Sequence, residues 1–328
     1  MSSKTNMTYL CAEGKEEKDI TQAVWADNGK RFLHVKNPGV VWNQEQGLHQ
    51  SNSRKVRPAQ ARSILSGDHP RRKDKVMRTR VSEVIKQLQG RPIEAELEKV
   101  FSLPRDADGI YWNLQGGGSD GSFAYFVMVS KGPSETALSR IFKVSLESWE
   151  LVKVSGMLSM NHANDLVCDS ARGRLVVSHC DVHPERVSFI DPENLELTGT
   201  RDIPQRHYSL AFDAEKGLYV AGKSRTYDLV LLDEDFTPVR ELPGVEGFVK
   251  QGLDCDEDFI YFFQTGPDLN WIFVFDWDGA PISRIKVPMV GESENLFTYG
   301  DGFVGAFNNN EGRSADVYMM RLKEGCEG

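Results

Sequence analysis

Gln115-Gly-Gly-Gly-Ser-Asp-Gly-Ser-Phe-Ala-Tyr-Phe126 aligns without a gap on Gln251-Gly-Leu-Asp-Cys-Asp-Glu-Asp-Phe-Ile-Tyr-Phe262. The two stretches share Gln, Gly, Asp, Phe, Tyr and Phe at six matching positions. Three weaker copies fit the same frame. They are Asn164-Asp-Leu-Val-Cys-Asp169 before Leu175-Val-Val, Tyr208-Ser-Leu-Ala-Phe-Asp213 before Leu218-Tyr-Val, and Glu294-Asn-Leu-Phe-Thr-Tyr-Gly300 before Phe303-Val-Gly-Ala-Phe. The frame positions 115, 164, 208, 251 and 294 are spaced by 49, 44, 43 and 43 residues.

A second landmark recurs later in each copy: an apolar run, an Asp-containing turn and another strand. Examples are Val187-Ser-Phe-Ile-Asp191, Leu229-Val-Leu-Leu-Asp233 and Ile272-Phe-Val-Phe-Asp276. Asp-Gly and Asp-Pro turns between β-branched and aromatic runs signal hairpins. Each copy therefore predicts four short antiparallel strands, and a period of about 40–45 residues is that of a propeller blade. Five copies predict an all-β, five-bladed β-propeller over 98–322, with a tail at 323–328. The last copy supplies three strands. Glu98-Lys-Val-Phe-Ser-Leu103 is expected to complete it, closing the ring and covering an edge that would otherwise invite pairing.

On these repeats the chain resembles β-propeller proteins of the WD40/YVTN-like group. It lacks the Gly-His and Trp-Asp signature of WD40 repeats. Asn161-His-Ala-Asn-Asp-Leu resembles a blade opening in uncharacterised bacterial five-bladed propellers. The resemblance implies the fold and carries no activity with it.

In such a ring the first strand of each blade lines the channel, so the frame residues Gln115, Asn164, Tyr208, Gln251 and Glu294 are expected around its mouth. Gly116, Asp165, Ser209, Gly252 and Asn295 follow one step on, with His207, Lys250 and Ser293 one step before and His162, Arg206 and Glu292 two steps before. The connections between second and third strands would form the rim and bring Trp271, Tyr227, Asn308 and the His179/His183 pair. Polar groups converging beneath aromatics make a default ligand site. The expected ligand contacts are Gln115, Asn164, Tyr208, Gln251, His207 and Trp271. The plainer alternative is a channel plugged by side chains that bond one another.

For chemistry, Asp165 and Glu294 with His162 form a candidate catalytic set, since two carboxylates flanking a glycosidic bond suit its hydrolysis. Asn164, Asp165 and Glu294 offer hard oxygens that would suit Ca²⁺. No cofactor is predicted and the metal is left open. His179-Cys180-Asp181-Val182-His183 has metal-ligand residue types without the partners a zinc site needs. The run from Asp254 to Asp258 imitates the start of an EF-hand loop but has Phe259 where glycine is required. Gly116 to Gly121 lacks the Lys-Ser/Thr of a phosphate loop, and no nucleophile elbow occurs.

Charge divides the chain. Residues 1–100 hold 19 Lys/Arg against 12 Asp/Glu, and residues 101–328 hold 20 against 36, so a +7 arm precedes a −16 body. Residues 1–76 contain only 24 hydrophobic residues, and ten Lys/Arg crowd between Arg54 and Arg80. That composition predicts a largely disordered basic arm. The run Arg71-Arg72-Lys73-Asp74-Lys75 reads as a solvated tail, or else as a nucleic-acid contact or nuclear address. No Phe, Trp or Tyr stands between Arg54 and Arg80 to stack on bases. Val81, Val84, Ile85 and Leu88 then recur at helical spacing, with Gly90 as a stop, so 77–97 is read as a short helix and linker. Met77 is an expected natural start.

No apolar stretch approaches the roughly 20 residues that a membrane helix needs, and the first residues lack the apolar core of a signal peptide. Five cysteines spread along the chain do not form a small disulfide scaffold. The expectation is a soluble, cytoplasmic, monomeric propeller that binds a small polar ligand, a glycan or a protein partner at its channel mouth. The alternatives are a glycan-directed hydrolase or lyase using the central carboxylates, and a protein-interaction scaffold. Nucleic acid is an unexpected ligand for so acidic a body.

Overall fold

The protein is represented by a computed structural model that describes residues 79–106 and 109–325. The basic arm and Met77 lie outside the described residues. A helix, α1 (Val81–Leu88), is followed by β1 (Ile93–Pro104). Blade one is β2 to β5 (Trp112–Ser119, Phe123–Ser130, Ser139–Ser145, Leu151–Val154). Blade two is β6 to β9 (Ala163–Asp169, Arg174–His179, Arg186–Ile190, Leu197–Asp202). Blade three is β10 to β13 (His207–Asp213, Leu218–Lys223, Leu229–Leu232, Pro238–Leu242). Blade four is β14 to β17 (Val249–Cys255, Phe259–Thr265, Asn270–Asp276, Pro281–Val287). Blade five is β18 to β20 (Ser293–Tyr299, Gly302–Asn309, Ser314–Glu324), with β1 as its outer strand.

The all-β, five-bladed propeller expected from the repeats is therefore the fold. The innermost strands β2, β6, β10, β14 and β18 lie each against the next, and β18 returns to β2. Five hydrophobic clusters fill the gaps, one between each pair of neighbouring blades. Alternate residues of a strand point to opposite faces, so each blade feeds the cluster on either side of it. Phe262 packs toward blade three, for example, and Phe263 toward blade five.

Closure follows the expected route with a longer strand. β1 pairs antiparallel with β20 from Ile93 opposite Glu324 to Pro104 opposite Ser314. It starts five residues before Glu98, because Ile93 and Ala95 are buried against blades four and five. Ile93 and Glu94 also pair in parallel with Ile285 and Lys286 of β17, which ties the two blades into one eight-stranded sheet. Val81 and Ile85 of α1 seal that gap, while Lys86 bonds Asp258 at 2.6 Å. Gly90, at φ +82°, stops the helix as its sequence position predicts.

The repeated Asp and Tyr are architectural. Asp120 accepts the amides of Ser122 and Phe123 through Oδ1, and Tyr125 donates its hydroxyl to Oδ2 at 2.7 Å. Asp256 does the same with Asp258, Phe259 and Tyr261. The carboxylate shapes the turn between the first two strands, and the tyrosine ring two residues into the second strand locks it. Asp191, Asp233 and Asp276 each accept two amides in the turns between third and fourth strands. We expect Tyr261→Phe to lower stability by about 1 kcal/mol in urea unfolding, the usual worth of one hydrogen bond.

Candidate functional site

Each frame residue lies in a β-bulge. The pairing of first and second strands slips between Leu114 and Gly116, Ala163 and Asp165, His207 and Ser209, Lys250 and Leu253, and Ser293 and Asn295. A bulge re-aims a side chain and is common beside binding sites. Here it occurs in every blade at the same depth, so the five frame residues form a collar at one end of the ring. The connections between second and third strands belong to the same end.

On one side of the collar, three side chains from blades one and two form a chain. His162 Nε2 meets Gln115 Oε1 at 2.7 Å, and His162 Nδ1 meets Asp181 Oδ2 at 2.9 Å. Gln115 Nε2 donates to Leu114 O, which fixes its amide. Ser134 Oγ donates to the same Asp181 oxygen at 2.9 Å. Burial pushes the Asp181 carboxyl up, but hydrogen bonds from His162, Ser134 and Cys180 outweigh it and hold it at about 2. Asn161 and Asp181 both adopt left-handed backbone, at φ 54° and 60°. Asn and Asp tolerate that region best among side-chain-bearing residues. His162 and Asp181 keep 22% and 23% of their side-chain surface, so the pair is open to a ligand.

On the other side, Gln251 Nε2 donates to Glu292 Oε1 at 2.7 Å, and Asn308 Nδ2 donates to Glu294 Oε1. Asn308 also exchanges hydrogen bonds with the backbone of Leu114, stitching blade five to blade one. Burial raises the Glu294 carboxyl well above its ordinary value, and neighbouring Glu292 raises it further. Asn308 and Arg105 act in the opposite sense. Arg105 is buried, bonded to Trp112 O and Asn310 Oδ1, and lies 4.7 Å from the Tyr111 ring.

The remaining collar residues are mostly wall. Asn164 Nδ2 donates to Tyr208 O at 2.8 Å. Tyr208 is 3% exposed, with Lys250 Nζ 4.5 Å from its ring. That lysine also donates to the carbonyls of Lys223, Ser224 and Thr226 and so ties down a rim loop. Two more of the expected ligand contacts, His207 and Trp271, have partners of their own. His207 is 0% exposed, with its Nδ1 3.1 Å from Gln205 O. Trp271 stands on the third strand of blade four with the Arg284 guanidinium 4.9 Å from its ring. Among the described residues it makes no hydrogen bond or ring contact with the collar.

Asp165, of the candidate catalytic set, is enclosed by backbone donors. It is 2% exposed and accepts the amides of Leu166 at 2.8 Å and Leu210 at 3.1 Å, with a further bond from Gly117. Burial raises its carboxyl well above the ordinary range despite these bonds. The acid that acts on it electrostatically is Asp254, whereas the one acting on Glu294 is Glu292. The carboxylates thus group as Asp165 with Asp254 and Glu292 with Glu294. The run from His179 to His183 disperses as well: His179 bonds Ser188, Asp181 bonds His162, and His183 lies 3.7 Å from Glu185. Among the described residues no three His, Cys, Asp or Glu side chains come together to hold a metal.

His179 and His207 carry a pH dependence. Burial lowers their proton affinities to about 3 and about 4. The unfolded chain takes these protons near pH 6.5, so each histidine costs stability as the pH falls from 6.5 to its folded value. We expect stability, followed as melting temperature, to drop over that range, and His207→Gln to remove about 3 kcal/mol of the drop.

The opposite end of the channel holds a cavity of about 200 Å³. It is lined by Gly117, Leu166, Leu253, Asp254, Leu296 and Thr298 inside, and by Ser119, Asp120, Cys168 and Ser170 toward the turns. The sequence reading did not find it, because its lining comes from the far halves of the inner strands, where residues look like core.

No protein-family model matches the chain, and no curated protein matches it. Among solved structures it is similar to the glutaminyl cyclase of Myxococcus xanthus, at 14% identity and a TM-score of 0.38. That match covers 60% of this chain and 99% of the cyclase. It is also similar to a chain of the nidogen/laminin complex, at 12% identity and a TM-score of 0.44 over 65% of this chain and 86% of that one. The tail fibre of Staphylococcus aureus phage P68 matches at 12% identity and a TM-score of 0.48, over 70% of this chain and 53% of the fibre. These likenesses concern fold alone. Among the described residues no helix is long and apolar enough to cross a membrane.

Proposed function

We propose that this propeller is a soluble, cytoplasmic, monomeric binding protein of the WD40/YVTN-like group that takes a small polar ligand, foremost a glycan, at the collar. The observation that carries this reading is the five-fold bulge, which places half-buried polar groups on one rim. Gln115, His162, Asp181, Asn164, Gln251 and Glu292 all keep exposed surface there. Together they offer donors and acceptors from four blades, as hydroxyl-rich ligands require. Lys250 and the connections between second and third strands frame the rim.

Binding raises apparent stability by mass action. Wild type is therefore expected to gain melting temperature with at least one member of a glycan and polar-metabolite panel. Gln251→Ala and His162→Ala are expected to weaken that ligand at least tenfold. A shift that both variants keep in full would count against the collar.

A second reading rests on Glu292 and Glu294. Two adjacent carboxylates, one of them with raised proton affinity, are the arrangement of an acid and base pair. In this reading Glu294 protonates a leaving oxygen and Glu292 acts as base, in place of the Asp165 and Glu294 pairing. Glu294→Gln would then keep ligand affinity and lose turnover. A scaffold role for the rim loops is what remains if neither small-ligand outcome is seen.

A further inference from the structure

The rim at blades one and five gathers positive charge on an otherwise acidic body. Three cationic heads surround the ring of Tyr111, the residue just before β2. Arg105 Cζ lies 4.7 Å from the ring centre, Lys131 Nζ 5.7 Å and Arg313 Cζ 5.9 Å. A fourth, Arg140, lies 5.1 Å from the ring of Trp112, the next residue. Residues 101–328 hold only 20 Lys/Arg against 36 Asp/Glu, so four cations around two adjacent rings are a marked local excess. All four stand at the collar end. Lys131 follows β3, Arg140 is the second residue of β4, Arg105 follows β1 and Arg313 immediately precedes β20.

Two of the four are packed and two are exposed. Arg105 is 2% exposed and donates to Trp112 O, Asn310 Oδ1 and Asn113 Oδ1. Arg140 is half-buried. Lys131 is exposed, and among the described residues no carboxylate pairs with it. Arg313 keeps 61% of its side-chain surface, and Asp106, 3.5 Å from its Nε, offsets one charge of the four. Arg313 also holds left-handed backbone at φ 50°, where glycine or asparagine would stand with less strain. Strained residues gather at ligand sites. Like charges crowded around one ring repel each other, and the negative face of the ring offsets only part of that repulsion. An oxyanion beside them offsets more of it, through charge-assisted hydrogen bonds.

We propose that Lys131 and Arg313, gathered at Tyr111, bind the carboxylate or sulfate groups of an acidic glycan. The oxyanion is argued from the patch, and the choice of a glycan rests on the collar reading. Arg105 joins the two places. It bonds Asn113, two residues before the frame residue Gln115, and acts electrostatically on Glu294 of the collar. An oligosaccharide seated at the collar reaches the patch with a neighbouring unit. Arg313 can fork onto a carboxylate or sulfate, and Lys131 adds a point charge. A nucleic acid would want a longer basic track than two exposed cations on an acidic body.

The test is isothermal titration of the full chain with oligogalacturonate, dextran sulfate and unmodified dextran. The basic stretch before Arg80 is present in every variant, so the readout is the change between wild type and variant. Lys131→Gln combined with Arg313→Gln should weaken at least one acidic probe about fivefold or more, and the loss should shrink as NaCl is raised. Lys131→Arg should keep the affinity. A carboxylate preference shows as loss of oligogalacturonate, a sulfate preference as loss of dextran sulfate. The proposal is overturned if wild type binds neither acidic probe, or if the double variant binds both as wild type does. An oligothymidylate that the double variant loses by the same factor would assign the patch to nucleic acid and overturn the glycan. Gln251→Ala and His162→Ala separate this patch from the collar. If they weaken the probes while the double variant changes nothing, the collar stands and the patch falls. If they change nothing while the double variant loses the acidic probes, the patch stands and the collar falls.

Discussion

A chain that begins at Arg105, and so lacks α1 and β1, is expected to lose cooperative unfolding. The fifth blade would keep three strands, and β20 would expose a backbone edge from Ser314 to Glu324. Ile93, Ala95 and Leu103 from β1, with Val81 and Ile85 from α1, are each at most 3% exposed in the closed ring. Burial of a large aliphatic side chain contributes about 1.5–3 kcal/mol, so losing this set removes a large part of the roughly 5–15 kcal/mol that holds an ordinary domain together. The bare edge would also pair with other chains. Size-exclusion chromatography should show aggregation, and circular dichroism a broad melt. A synthetic Ile93–Pro104 strand added in trans should restore part of the transition. A truncated chain that stays monomeric and melts within 5 °C of the full one would contradict ring closure by β1.

Gly116→Ala and Gly252→Ala are expected to destabilise by about 3 kcal/mol or more, the upper range for overpacking. A Cβ on Gly116 would stand 2.4 Å from Asp165 Cα, and one on Gly252 would stand 2.5 Å from the Leu296 amide nitrogen. Both obstacles are backbone of the next inner strand, so relief requires the ring itself to expand. Gly132→Ala and Gly156→Ala meet nothing within 4 Å and should stay within about 0.5 kcal/mol of wild type, as surface changes usually do. Urea midpoints measure all four. Similar midpoints across the set would mean that the inner strands are not packed as closely as described.

Those glycines also show what the sequence made legible. The alignment of Gln115 to Phe126 on Gln251 to Phe262 located the inner strands, the first turns and the period, because turn chemistry and inner packing both leave fixed residues at fixed intervals. The closing strand was readable because one blade lacked a strand and one apolar segment lacked a blade. The site was less legible. A frame position gives depth along a strand but not whether a side chain faces solvent, so the burial of His207 and Tyr208 is not readable from it. Pairing across blades is likewise hidden. His162 finds Asp181 through a loop between second and third strands, and nothing in the spacing of those residues announces it. Asp165 reads as a mouth carboxylate because it stands one step past the frame, and the spacing does not disclose its three amide donors, which come from three blades.

The collar claim is tested most directly by hydrogen exchange on the full chain, free and saturated with whichever panel ligand raises its melting temperature. Added protection is expected at the leading ends of the five inner strands and in the loops Lys131–Ser139, His179–Arg186, Lys223–Leu229, Thr265–Asn270 and Asn308–Ser314. Protection confined to the turns between first and second strands, or to the outer strands, would contradict it.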